Sequence, residues 1–122
     1  MSIVKVKLSV ELDNAPLDGF PLERRVEVQE AVELANLQRA PDNNATTFGS
    51  YGTEVPIANV IVLRADQAVN VKLNNLLAMA LNAGGLIIII DGNLTAVPQL
   101  AINNPALTGG VTVNLKGVVA GT

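Results

Sequence analysis

The side chains best suited to chemistry lie in two short acidic stretches. Asp13, Asn14 and Asp18 precede Gly19, and closely spaced oxygen ligands of this kind can bind a calcium ion. The alternate-position carboxylates of a calcium-binding loop are missing, however, so these residues are better interpreted as a turn. The second stretch, Asp91-Gly92-Asn93, fits the positive φ angles of a tight hairpin. Neither stretch predicts a metal site.

The chain lacks the residues that enzymes most often use for catalysis. The chain has no cysteine and no histidine, which removes Ser-His-Asp and Cys-His nucleophile systems and metal sites built from nitrogen and sulfur ligands. Gly84-Gly85 and Gly109-Gly110 are not followed by the helix and lysine of a phosphate-binding loop. Carboxylates are scattered, but aromatic residues that could stack a sugar ring make up only 2% of the chain. We therefore expect no enzymatic activity, no cofactor and no metal.

The cationic residues do not form a nucleic-acid-binding pattern. The net charge of -3 and the isoelectric point near 4.7 disfavour binding to phosphate backbones, which requires a cationic face. Arg24 and Arg25 lie among the glutamates of residues 23–33 and predict a solvated charged face. Arg64 and Asp66 flank a turn, and we expect a local ion pair of small energetic value between them.

The elements that must position these residues begin with a strand. Apolar and polar residues alternate over residues 3–12, the period of a strand with one face in water. Residues 13–19 carry turn signals. Residues 23–39 fit either a strand that is broken near Glu30 or a helical stretch, and the sequence RRVEV at their start favours the strand.

The rest of the chain predicts short strands separated by turns rich in Gly, Asn and Asp. They are residues 55–64, 68–73, 79–81, 86–90, 97–102 and 111–119. Together with the N-terminal segments they make about eight short strands. The fold class expected is therefore all-β, with residues 1–122 forming a single domain. An antiparallel β-sandwich or jelly roll accounts for the spacing, with room for one short helix at residues 75–81.

The segment GGLIIIIDG contains four consecutive isoleucines, which place branched apolar side chains on both faces of a strand. We expect Leu86, Ile88 and Ile90 to point into the domain. Ile87 and Ile89 would then point outward, into an interface with a neighbouring subunit. The alternative is a central strand that its own chain covers on both faces, for instance with a short helix at residues 75–81.

Charge is distributed very unevenly along the chain. The first 39 residues contain twelve charged side chains, whereas residues 74–122 contain only Asp91 and Lys116. So small a domain cannot hide this much charge-poor surface from water, and we expect much of it to contact another protein, including further copies of the chain. Residues 76–90 are too short and too interrupted to span a bilayer, so no membrane partner is expected.

A polar segment at residues 40–52 is long enough to act as a contact loop. It contains amide and aromatic side chains suited to a protein partner. The residues predicted to make that contact are Asn43, Asn44, Phe48 and Tyr51.

Three stretches in the C-terminal two-thirds of the chain carry a resemblance. The sequences VIVLRADQAVNVKLN, LNAGGLIIIIDG and AINNPALTGGVTVNLKGVVAGT resemble small virion proteins of tailed bacteriophages, of the capsid decoration (cement) type. The resemblance implies a β-sandwich that forms a homo-oligomer, with a trimer as the expected form, bound to the major capsid protein or to another virion protein. It also implies a location in the virion after assembly in the host cytoplasm.

Two other functions remain open. The first is a binding module, such as a phage tail or fibre adaptor that recognises a host glycan or protein. Glycan-binding faces usually present Trp or Tyr, and this chain has no Trp and only Tyr51, which favours the decoration protein. A bacterial structural protein unrelated to phages is the third interpretation.

Overall fold

The computed structural model describes residues 2–39, 49–51, 55–74, 78–95, 100–104 and 112–122. These residues form twelve strands and no helix, and all the pairings among them are antiparallel. The strands are β1 (Ser2–Leu8), β2 (Glu11–Leu12), β3 (Ala15–Pro16), β4 (Leu22–Val28), β5 (Glu30–Arg39), β6 (Gly49–Tyr51), β7 (Ala58–Ala65), β8 (Val69–Leu73), β9 (Met79–Leu81), β10 (Leu86–Ile89), β11 (Leu100–Asn103) and β12 (Val113–Gly121). The all-β prediction is confirmed.

Two four-stranded sheets build the body of the molecule. The first has the strand order β10-β7-β12-β5 and the second the order β6-β11-β8-β9. Leu63 and Leu115 of the first sheet share one buried cluster with Val71 and Ile102 of the second. Aliphatic side chains thus fill the core, as the scarcity of aromatic residues requires. The finer description as a sandwich or jelly roll stays a prediction.

Residues 2–28 form a unit of their own, outside the two four-stranded sheets. β1 and β4 pair along their whole length, from Ser2 opposite Val28 to Leu8 opposite Leu22. At the far end of this hairpin the chain makes the small β2–β3 pair. We call residues 2–28 the N-terminal arm and residues 9–22 the arm tip. The strand predicted for residues 3–12 is present, although it is interrupted between Leu8 and Glu11.

The segment at residues 23–39 is strand, and it breaks at Gln29 beside the predicted position. The Gln29 backbone N–H donates to the carbonyl of Gly121 at 2.9 Å, which anchors the crossing from arm to body. Val28 then packs on one face of the first sheet, whereas Leu34 enters the main core. The break at Gln29 thus allows two consecutive strands to contribute to two separate apolar clusters.

Two turn predictions have different outcomes. Asp91 has a φ of 56°, as an Asp-Gly turn suggests, but the predicted hairpin is wrong because β10 pairs with β7. The chain after Gly92 instead returns to β7 through a bridge between Leu94 and Ala58. The short helix at residues 75–81 is not found either, since residues 79–81 form β9; residues 75–77 lie outside the described residues.

Candidate functional site

The orientation of the isoleucine strand is the reverse of the one predicted. Ile87 and Ile89 pack against the main core cluster, while Leu86 on the other face is 52% exposed. The predicted outward orientation of Ile87 and Ile89 is therefore wrong. The alternation itself holds, but the second sheet covers the face that carries these two isoleucines. Their place in a subunit interface stays a prediction, and Leu86 is the open residue of this strand.

The other side of the first sheet, which we call the outer face, is only partly covered. Its side chains come from all four strands of that sheet. They include Ala31, Glu33, Val60, Val62, Arg64, Leu86, Ile88, Lys116, Val118 and Ala120. The arm packs Val4, Val26 and Val28 against Val60 and Ala120. The chain thus covers one end of the outer face with its own first strands and leaves the rest open.

An ion pair fastens the arm to the end of the isoleucine strand. The Arg24 guanidinium bonds to the Asp91 carboxylate, so Arg24 is not part of the simple solvated face predicted for it. Both side chains are about half exposed, and pairs of this kind contribute at most about 1 kcal/mol. Apolar packing of Val28, which is buried to 1% exposure, contributes more to holding the arm.

An apolar groove runs between β1 and the uncovered part of the outer face. It has a volume of about 760 Å³, and its floor includes Val62, Leu86, Ile88 and Val118. Val6 of the arm forms one wall. Burying side chains of this kind is favourable by about 25 cal/mol per Å² of apolar surface removed from water. The groove is therefore a surface on which another chain could pack.

Beyond Leu86 the outer face becomes cationic. Arg64 lies opposite Leu86 on one side and opposite Lys116 on the other. Like charges directly opposite each other on neighbouring strands destabilise a sheet, and neither side chain has an ion-pair partner among the described residues. A depression of about 560 Å³, lined partly by both cations, adjoins the apolar groove at Leu86.

The expected ion pair between Arg64 and Asp66 is not formed. Asp66 instead accepts two hydrogen bonds from Asn114, from the backbone N–H at 2.8 Å and from the side-chain amide at 3.0 Å. The side-chain bond contributes most, and together they lower the pKa of the Asp66 carboxyl. Asp66 thus stays negatively charged in the depression that Arg64 and Lys116 line, but it makes no ion pair with Arg64.

The arm tip is acidic and exposed. Asp13 and Asn14 have φ angles of 52° and 64° between the paired residues Leu12 and Ala15, the geometry of a type I′ turn. The turn prediction is confirmed here. Leu12 is 63% exposed, and the charged residues of the tip are Glu11, Asp13 and Asp18 with no cation among them.

Metal-binding geometry is not found in the described part of the chain, where no three acidic side chains are grouped as ligands. The predicted contact loop falls mostly outside the described residues, since Asn43, Asn44 and Phe48 lie there. Tyr51 belongs to β6, where its backbone pairs with Leu100. The contact role of these four residues stays a prediction.

Sequence reasoning missed the cationic pair, although a signal existed. Arg64 and Lys116 each stand inside an aliphatic strand, in VIVLRA and VNLKGV, and Lys116 is one of only two charged residues after residue 73. A charge within such a strand must reach water at one face of a sheet. What could not be read is that the two strands are neighbours, because β7 and β12 are about fifty residues apart in the chain.

The comparisons with known proteins leave the resemblance to virion proteins as a prediction. No protein-family model, no curated protein and no solved structure matches this chain. Within the described ranges, no helix is long and apolar enough to cross a membrane.

Proposed function

We propose that this protein is a structural assembly protein and, following the resemblance in its C-terminal two-thirds, a decoration protein on the capsid of a tailed bacteriophage. The observation that carries the proposal is the N-terminal arm. It carries an exposed acidic tip, and it leaves part of the outer face of the antiparallel body open. A small chain with both an exposed charged tip and a partly uncovered apolar face is typical of a protein that bridges neighbouring subunits.

The architecture suits this role physically. Ladders of antiparallel strands around a core of aliphatic residues give a rigid support, and contacts made at the surface by the arm and loops can join copies or bind a shell. Binding that favours the assembled shell over free subunits stabilises the shell by mass action. No catalytic step enters this proposal, and the partners it names are further copies of the chain and the major capsid protein.

The proposal is tested on phage particles. Antibodies against the purified protein are applied to virions that carry its gene, and bound antibody is located by electron microscopy with gold labels. We expect regular labelling of the head. Labelling confined to the tail would replace the decoration role with that of a tail or fibre adaptor, and unlabelled particles would reject a virion protein altogether.

A second measurement tests the stabilising role. Heads stripped of the protein are heated with and without the purified chain, and release of packaged DNA is followed by dye fluorescence. We expect the chain to raise the temperature of release in a saturable manner. No shift at saturating binding would contradict a cementing function while leaving attachment intact.

A further inference from the structure

We infer that the arm tip of one copy docks on the outer face of a second copy of this chain, with its acidic residues on Arg64 and Lys116. This inference deepens the self-assembly part of the proposed function and rests on it. It names the two surfaces that meet, which the proposed function leaves open.

Charge complementarity identifies the occupant. The chain contains eight cationic and eleven anionic residues. Three of the anionic residues are Glu11, Asp13 and Asp18 of the tip, so the rest of the chain carries equal numbers of each sign. None of the three has an ion-pair partner in the described part of the structure. The tip thus carries a charge equal to the net charge of the protein and is complementary to a cationic surface.

The outer face supplies that surface. Arg64 and Lys116 lie directly opposite each other across β7 and β12, and both are exposed. Their mutual repulsion falls when a carboxylate of a second chain approaches. Asp66 lines the same depression and is a single carboxylate beside these two cations, so the depression keeps a net positive charge. Glu33 lies farther along the face, opposite Val118.

Each of the two proposed contact surfaces also carries an exposed leucine. On the tip, Leu12 stands beside Glu11 and Asp13 and is 63% exposed. On the outer face, the exposed Leu86 lies directly across the strand pair from Arg64. The tip and the outer face therefore each carry an exposed leucine, and docking that covers both would remove apolar surface from water.

The test reverses charges on each surface. The face variant carries Arg64→Glu and Lys116→Glu, the tip variant carries Glu11→Lys and Asp18→Lys, and a combined variant carries all four. Asp13 is left unchanged because its positive φ belongs to the turn. Arg25→Glu, on the exposed side of the arm shaft, is the control. Circular dichroism and thermal melts confirm that each variant is folded.

Association is measured by light scattering and sedimentation over a range of concentrations at low and high salt. We expect the wild type to self-associate, and each one-sided variant to weaken association by tenfold or more at low salt. The combined variant should recover wild-type affinity to within about threefold, because its tip and face are again complementary. The control should match the wild type.

Three results would overturn the inference. The first is a wild type that stays monomeric, which would leave the outer face to a different partner. The second is an oligomer insensitive to both reversals, which would place the interface elsewhere. The third is a folded combined variant that fails to recover. If the wild type is monomeric but antibodies against it still label phage heads, this contact is rejected and the proposed function is not.

Discussion

At the scale of single residues, hydrogen bonds from Asn114 change the pKa of Asp66. The carboxyl accepts two hydrogen bonds from Asn114, and these favour its charged form and lower its pKa. A group whose pKa is lower in the folded chain than in the unfolded chain stabilises the fold at high pH. That contribution is lost as the pH falls through the lowered folded pKa.

The Asp66→Ala variant tests this linkage. We expect the variant to have a smaller free energy of unfolding than the wild type at pH 7. The gap should persist down to the ordinary carboxyl pKa of 3.8 and shrink at lower pH, where the unfolded chain takes up the proton first. Urea unfolding at a series of pH values measures the gap. A gap that grows as the pH falls would contradict the assignment.

The isoleucine strand gives a second prediction at this scale. Ile89 packs on the main core, so Ile89→Lys should lower the free energy of unfolding by about 3 kcal/mol or more. Leu86→Lys is the matched control on the exposed face of the same strand and should change it by less than about 0.5 kcal/mol. Urea denaturation of both variants makes the comparison. Equal losses would mean that both faces of β10 are buried.

At the scale of elements, periodicity predicted most strands but could not say which neighbours they have. The alternation over residues 3–12 predicted β1. Glu30 falls on the apolar face of the next predicted strand, and this predicted the break between β4 and β5. Turn residues placed β9 at its observed bounds. These features are local, because a period of two and a turn are properties of a few consecutive residues.

Orientation and strand order depend on distant residues and were not predictable. In LIIII both alternating sets are apolar, so the pattern does not say which set faces the core. That choice depends on the second sheet covering Ile87 and Ile89 and on the arm covering the outer face. The cationic pair at Arg64 and Lys116 has the same origin, since it exists only through the pairing of β7 with β12.

The centre of β12 carries an element-level prediction. A Cβ atom added at Gly117, where φ is 153°, would lie 1.7 Å from the backbone carbonyl oxygen of Val62 on β7. Gly117→Ala must therefore separate two central strands, and we expect a loss of about 3 kcal/mol or more in the free energy of unfolding.

The control for this variant is Gly19→Ala in the arm tip. Gly19 has a positive φ of 86° but open space around the added carbon, so only backbone strain of about 1 kcal/mol is expected. Chemical denaturation of both variants separates the two causes. A cost at Gly117 no larger than that at Gly19 would show that β7 and β12 can shift apart freely.

At the scale of the whole molecule, the arm and the body are two packed units joined at Gln29. The main core lies between the two four-stranded sheets, while the arm rests on a smaller cluster formed by Val28, Val60 and Ala120 with the residues around them. Because the two clusters lie on opposite faces of the first sheet, losing one does not open the other. The arm should therefore be able to detach while the body stays folded.

The Val28→Asp variant tests this independence. Val28 is almost fully buried, and a carboxylate there has no partner in the cluster, so the arm should leave the outer face rather than bury the charge. Hydrogen exchange followed by mass spectrometry should show protection in β1 and β4 falling by tenfold or more, with β7, β8 and β11 unchanged. The control Glu27→Gln, on the exposed side of β4, should leave all protection unchanged. Loss of protection throughout the chain would instead show that arm and body unfold as one cooperative unit, because Val28 would then be needed to keep the body folded as well.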